Sequence, residues 1–257
     1  MLVLASPTTA VLWPEAAPGS NDTSNCDKLY VDVGANIGQS LKWWYTAKDY
    51  GRGSHENARV ANWKERRTFC ADVFEAEPNQ TQTLMKVTAN HRSLGRSIRL
   101  YAATPFSLMG GDILFNSIGA MNDAGGTIAK AGDEAAAQVA ASNAIMLRSM
   151  NAIEYLHSLK ATTLALKIDV ENYEYELMRG LISSGALCIP GRRTYILIEW
   201  HVPRGQGNQT HYMFDEKAFG LPDLTKGSGS LAVALRDAML WMLRSPACAN
   251  VTTIRWW

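Results

Sequence analysis

With 257 residues, 47% of them hydrophobic and 19% charged, the chain is long enough to bury a full core, and one domain is the default. A formal charge of +1 argues against a surface devoted to nucleic acid or another polyanion, so no nucleic-acid partner is expected. No apolar run approaches the roughly 20 residues that span a bilayer, so no membrane span is expected.

Residues 1–26 are rich in Pro, Ser, Ala and Asn and read as a flexible N-terminal arm. Their opening, MLVLASPTTAVLW, lacks a basic start and is interrupted by Pro7 and closed by Pro14, which makes a poor signal peptide. From residue 27 to 257 the chain reads as a single domain. Its organising stretch is Lys28 to Ser40, KLYVDVGANIGQS: a short extended apolar run, then Asp32, then a turn containing Gly34 and Gly38. Ile37, Leu41, Trp44 and Tyr45 follow at helical spacing, predicting a helix to about Lys48. A strand that ends in a glycine turn and runs into a helix lets a ligand approach the backbone and directs free N–H groups at it. The pattern D-x-G-x-x-x-G is not the dinucleotide fingerprint G-x-G-x-x-G, so a pyrophosphate is not the expected guest. A tight turn without a ligand is the alternative.

Residues 49–67 are polar and form a long loop, read as an insertion. A second strand is expected over Phe69–Phe74, ended by EAEPNQ, and a helix over Thr81–Asn90 with Leu84, Val87 and Thr88 inward. Ser97–Ala103 is a third strand, completing the β-α-β-α-β order of a parallel sheet. Residues 104–143 break the rhythm with Gly, Ala, Asn and Asp. They are read as a hairpin over Ile113–Met121 and a short helix over Glu134–Ala141, with 105–143 an inserted cap over the ligand-binding end. Met150, Ile153, Leu156 and Leu159 mark a further helix, and Leu164–Val170 a buried strand. Tyr175, Met178 and Ile182 stripe the next helix, Tyr195–Ile198 is a fifth strand, and residues 203–228 are a polar loop. A helix over Leu231–Leu243 and a strand over Val251–Trp257 close the chain.

In a doubly wound sheet, ligands bind outside the carboxyl ends of the strands. The polar groups of interest all fall at such ends. Asp32 and the glycines follow strand one, Glu77 strand two, Asp169 and Glu171 strand four, and Glu199 and His201 strand five. Glu77 stands where an acid takes the two hydroxyls of a ribose. Glu75, two residues earlier and on the same face if the strand continues, competes for that role.

VDVGANIGQS, the EPN after strand two, and KIDVENYEYELMRG followed by ILIEWH resemble the FkbM family of S-adenosylmethionine-dependent methyltransferases over about Tyr30 to His201. The resemblance implies an α/β, mostly parallel Rossmann-like sheet of the class I methyltransferase type. It also implies S-adenosylmethionine as cofactor and O-methylation of a sugar or small secondary metabolite. Asp32, Gly34, Ala35, Asn36 and Gly38 match the family's first motif, which holds the methionine and ribose parts of the cofactor, and Glu77, before Pro78, its ribose-binding acid. Lys167, Asp169, Glu171, Glu174 and Gly180 match its K-x-D-x-E motif and following helix, and Glu199 and His201 its E-x-H. The chain departs from the family at Asn172, where Gly is usual, and in the longer loop from Asp49 to Thr68. It also ends on what reads as strand six. The antiparallel strand seven that closes the class I fold between strands five and six is then missing, as in a fragment, or one of the elements assigned above is out of place.

Methyl transfer to a hydroxyl needs positioning and removal of the hydroxyl proton. His201 is the expected base or acceptor binder, since its ordinary pKa suits neutral pH, with Asp169 and Glu171 orienting the acceptor. For Glu171 a capping carboxylate on the following helix is the alternative. Asp169 and Glu199 lack a third dedicated ligand, so no metal is expected. Cys26, Cys70, Cys188 and Cys248 each precede a strand, at the end of the sheet opposite the site. Cys26 and Cys70, on neighbouring strands, are expected within ~7 Å at Cα, and a second pair of Cys188 with Cys248 stays open. This even set, with sequons at Asn21, Asn79, Asn208 and Asn250, leans towards the secretory pathway; the cytoplasm is the other option. Two other functions stay open: a non-catalytic glycan-binding module on the same scaffold, and a nicotinamide-dependent oxidoreductase, which the glycine pattern disfavours.

Overall fold

The computed structural model describes residues 14–46, 63–116, 127–128, 144–170, 173–199 and 239–255. Its strands β1 (Lys28–Val33), β2 (Cys70–Glu75), β3 (Ile98–Ala102), β8 (Thr163–Ile168), β9 (Arg193–Ile198) and β10 (Val251–Arg255) form one sheet in the order β10-β9-β8-β1-β2-β3. Every pairing in it is parallel. Strands buried on both faces explain the continuous apolar runs.

Period-two alternation divides the side chains between two cores. Leu29, Val31, Val33, Leu164, Leu166 and Ile168 point to one face. There they meet helices α3 (Ala152–Ser158) and α4 (Glu174–Ser183) through Tyr155, Leu156, Leu177, Met178 and Leu181. Tyr30, Ala71, Val73, Ala165 and Leu197 point to the other. They pack on α1 (Gln39–Thr46) and α2 (Thr81–Ser93) through Leu41, Trp44, Tyr45 and Leu84, with Trp44 stacked on Tyr30 at 4.2 Å. The expected α/β, doubly wound parallel sheet is present, and α2 begins where the sequence placed it.

Three expectations are corrected. Ile37 lies in the turn before α1 and is 39% exposed, so the inward stripe begins at Leu41. Met150 ends a strand rather than opening a helix. It belongs to β7 (Ala144–Asn151), and α3 starts only after Asn151, whose side chain caps it by accepting from the N–H groups of Ile153 and Glu154. The hairpin strand is β5 (Gly111–Asn116), whose main partner is β7; its hairpin partner, β6, lies at Thr127–Ile128, beyond Met121. These strands and β4 (Phe106–Ser107) make a second, four-stranded sheet. The strand β7 pairs an apolar start, Ala144–Leu147, with Arg148, Ser149 and Asn151, and its Met150 stands at helical spacing from Ile153 and Leu156, which is why its sequence did not announce it. β10 pairs directly and in parallel with β9, so among the described residues no antiparallel strand separates them, in keeping with the reading in which strand seven is missing. The expected helix over 134–141, the loop over 203–228 and most of the helix over 231–243 lie outside the described residues; of the last, the described residues 239–242 are helical.

The described part of the N-terminal arm lies along β3. The N–H groups of Ala17 and Asn21 donate to the carbonyls of Leu100 and Ile98, at 2.6 and 3.0 Å. Thr23 donates to the buried Asp72 at 2.5 Å, which Arg99 and Tyr155 also reach. This covers an otherwise open sheet edge. The expected pair Cys26–Cys70 and the pair left open, Cys188–Cys248, are both disulfides, with Cα separations of 6.3 Å and 4.7 Å. Each of the four precedes or begins its strand, at the amino end of the sheet.

Candidate functional site

The carboxyl edge is set by ladder register. Val33, Ile168 and Ile198 stand level across β1, β8 and β9, so the residues that follow them emerge side by side. The ladder runs one step further, with the Asp169 N–H on the Val33 carbonyl at 3.1 Å and the Glu199 N–H on that of Ile168 at 3.0 Å. Asp32, the glycine turn, Asp169 and Glu199 are thereby brought to one edge. Glu171 and His201 lie outside the described residues.

Asp32 and Lys167 are direct partners in the ladder and point to the same face. The Lys167 ammonium, 1% exposed, is 3.4 Å from Asp32 Oδ1 and 3.1 Å from Asp169 Oδ2. It also donates to the Gly34 carbonyl at 2.6 Å. Asp32 is fully buried, and Ser40 donates to its Oδ2 at 2.5 Å. Burial pushes the Asp32 carboxyl above its ordinary value, against the pull of Lys167 and Ser40. Asp32 therefore supports the turn from beneath. Asp169, 19% exposed at its side chain, is the acid of this trio that reaches solvent.

The turn itself requires its glycines. Gly34 has φ +76°, and a Cβ there would overlap the carbonyl oxygen of Asp169. Gly38 has φ +82°, with a Cβ falling 2.9 Å from Val87. Asn36, at φ +50°, takes the left-handed conformation as a non-glycine residue. Most of the turn's own amides, ahead of the helix N-terminus, are engaged within the protein. The amides of Gly34 and Ala35 both donate to the Phe74 carbonyl, at 3.0 and 3.1 Å, and that of Gly38 to Ala35 at 2.8 Å. The Asn36 amide donates to Glu75 Oε2 at 2.6 Å. These four amides are spent inside the protein, so the turn offers no cradle for a phosphate at those positions.

The two acids after β2 do different work, because the chain turns between them. Glu75, buried, accepts from the main chain on both sides: Asn36 as above, and the Glu77 N–H at 2.7 Å. Glu77 accepts from the main-chain and side-chain nitrogens of Asn79, at 3.2 and 2.8 Å, opening the turn that leads into α2. On the other side of the site, Glu174, fully buried, accepts from the Val170 N–H at 3.1 Å and so bridges the β8 end to the start of α4. Gly180 lets the second sheet dock on α4, since a Cβ there would overlap Leu108, whose N–H donates to the Tyr173 hydroxyl at 3.3 Å. That sheet is thus fixed close to the site edge.

A family model described as the methyltransferase FkbM domain matches residues 32–220. The chain belongs to the FkbM methyltransferase family. No curated protein and no solved structure matches it. In this FkbM methyltransferase the matched span opens on Asp32 and stops before β10. Each disulfide consequently joins a cysteine inside the span, Cys70 or Cys188, to one outside it, Cys26 or Cys248. Sequence reasoning missed the roles of Lys167, Ser40 and Glu75. The first was legible in outline, as a lysine inside an apolar strand beside a buried acid; the other two depend on how the turn folds.

Proposed function

We propose that the chain is an S-adenosylmethionine-dependent O-methyltransferase acting on a hydroxyl of a sugar, glycan or small metabolite. The observation that carries the cofactor reading is the character of the glycine turn. Its amides at 34, 35, 36 and 38 are engaged internally, and the groups around it are mainly acidic: Asp32, Glu75, Glu77, Asp169 and Glu199 against Lys167. Such an edge disfavours a pyrophosphate and suits a ligand that carries a sulfonium and a ribose. Family membership supports the same cofactor.

The cofactor supplies an activated methyl group. Gly34, Ala35, Asn36 and Gly38 form the turn against which it rests, Glu77 is the acid for its ribose, and Asp32 holds the turn from below through Ser40 and Lys167. His201 takes the acceptor's proton, while Asp169 and Glu171 orient the hydroxyl. Proton removal of this kind contributes on the order of 10²–10⁴-fold. The inserted region over 105–143 and the loop over 203–228 shape the acceptor pocket. A screen with methyl-labelled cofactor over carbohydrate and polyketide hydroxyls tests this, with label expected on an acceptor oxygen. Cofactor binding without transfer to any of them would favour the glycan-binding module.

We further propose that the chain matures in an oxidising compartment. All four cysteines are paired, and the sequon residues Asn21 and Asn250 are exposed.

A further inference from the structure

We propose that Glu75 is a positioning residue that fixes the glycine turn against the end of β2, so that cofactor affinity depends on a carboxylate other than the ribose acid. This role rests on the cofactor reading above. Residues 74 and 75 together accept three consecutive turn amides: Gly34 and Ala35 on the Phe74 carbonyl, and Asn36 on Glu75 Oε2 at 2.6 Å. The third bond holds Asn36, the turn's non-glycine residue with positive φ, in left-handed geometry, a conformation that asparagine tolerates better than other side-chain residues but that still favours glycine.

The other oxygen of Glu75 accepts the Glu77 N–H at 2.7 Å, so one buried carboxylate ties the turn after β1 to the turn after β2. These turns carry the residues expected on the methionine and ribose parts of the cofactor. Lys167 grips the same turn from the opposite side through the Gly34 carbonyl. Burial pushes the Glu75 carboxyl above its ordinary value against the pull of both amides, with Lys167 and Asp32 as the charged neighbours. An acid kept in so unfavourable a setting, with each oxygen on a main-chain amide, is a brace for those amides. Glu77 is directed elsewhere, to Asn79.

Glu75→Gln, Glu75→Ala and Glu77→Gln in the full chain separate the roles. Each is measured by calorimetric titration with S-adenosylhomocysteine, by hydrogen exchange of the 34–38 backbone without ligand, by thermal melting, and by KM for an acceptor once one is known. Glutamine keeps one acceptor oxygen but sets an NH2 against the other amide. E75Q is therefore expected to melt cooperatively, exchange at Asn36 about tenfold faster or more, and bind S-adenosylhomocysteine about 10- to 100-fold more weakly. Acceptor KM stays unchanged. E75A is expected to be weaker still; should it not fold, E75Q carries the comparison. E77Q weakens binding and leaves exchange at Asn36 at the wild-type rate. An E75Q chain with wild-type exchange at Asn36, or with wild-type affinity for S-adenosylhomocysteine, overturns the inference. A wild type that binds no S-adenosylhomocysteine overturns the cofactor reading instead, and exchange at Asn36 then decides the brace alone.

Discussion

Lys167→Met removes the cation at the centre of the site while keeping most of the side chain's volume. In the wild type the ammonium is 1% exposed and lies 3.4 and 3.1 Å from the Asp32 and Asp169 carboxylates. Methionine leaves Asp32 fully buried with the Ser40 hydroxyl as its remaining hydrogen-bond donor of those described above. Breaking a buried ion pair by deleting one partner costs about 3–5 kcal/mol. The sign of the pH dependence follows from Asp32. Its carboxyl is already raised from 3.8 by burial, and losing Lys167 raises it further. Between the unfolded and folded values the folded state binds the proton more tightly, so the variant's stability falls as pH rises through that window. The deficit relative to wild type is therefore smallest at the acidic end. Urea unfolding at pH 5 and pH 8 measures it, and adding Asp32→Asn is expected to recover part of the loss at pH 8. A deficit below ~1 kcal/mol, or one equal at both pH values, would refute this account of the trio.

Gly34→Ala places a methyl on the Asp169 carbonyl and forces alanine to φ +76°, so about 2–5 kcal/mol of stability is expected to be lost, read from the unfolding midpoint, together with cofactor binding. Removing the Cys26–Cys70 bridge with serines, at a sequence separation of 44, is expected to cost roughly 4 kcal/mol by loop entropy. Alkylation of the denatured, unreduced protein should find no free thiol, and a labelled cysteine would contradict the oxidising-compartment proposal. His201→Ala should lower kcat about 10²–10⁴-fold with S-adenosylhomocysteine affinity within about twofold of wild type. A loss of binding instead would move His201 from the acceptor to the cofactor.

The main sheet was readable because its strands are buried on both faces, and burial writes itself as apolar runs such as LALKI and YILI. Sorting Asp32, Asp169 and Glu199 to one edge needed only the parallel order of strands and helices. The cysteine pairing followed from that same order, since all four residues precede strands whose neighbours could be inferred. What stayed hidden depends on side chains meeting across turns. The direction of the amides at 34–36 is fixed by the Phe74 carbonyl and Glu75, residues some 40 positions away in sequence. Period two alone put Glu75 and Glu77 on one face, but the backbone leaves the strand between them, and each carboxylate finds a different set of donors. β7 escaped because it mixes apolar and polar residues and holds Met150, whose spacing to Ile153 and Leu156 imitates a helix.

In the proposed function the glycine turn holds the methionine and ribose parts of S-adenosylmethionine. Calorimetric titration of the wild-type chain with S-adenosylhomocysteine and, in parallel, with NAD tests it most directly. Saturable 1:1 binding of S-adenosylhomocysteine, with none of NAD, is the expected result. Binding of NAD with no binding of S-adenosylhomocysteine would contradict it.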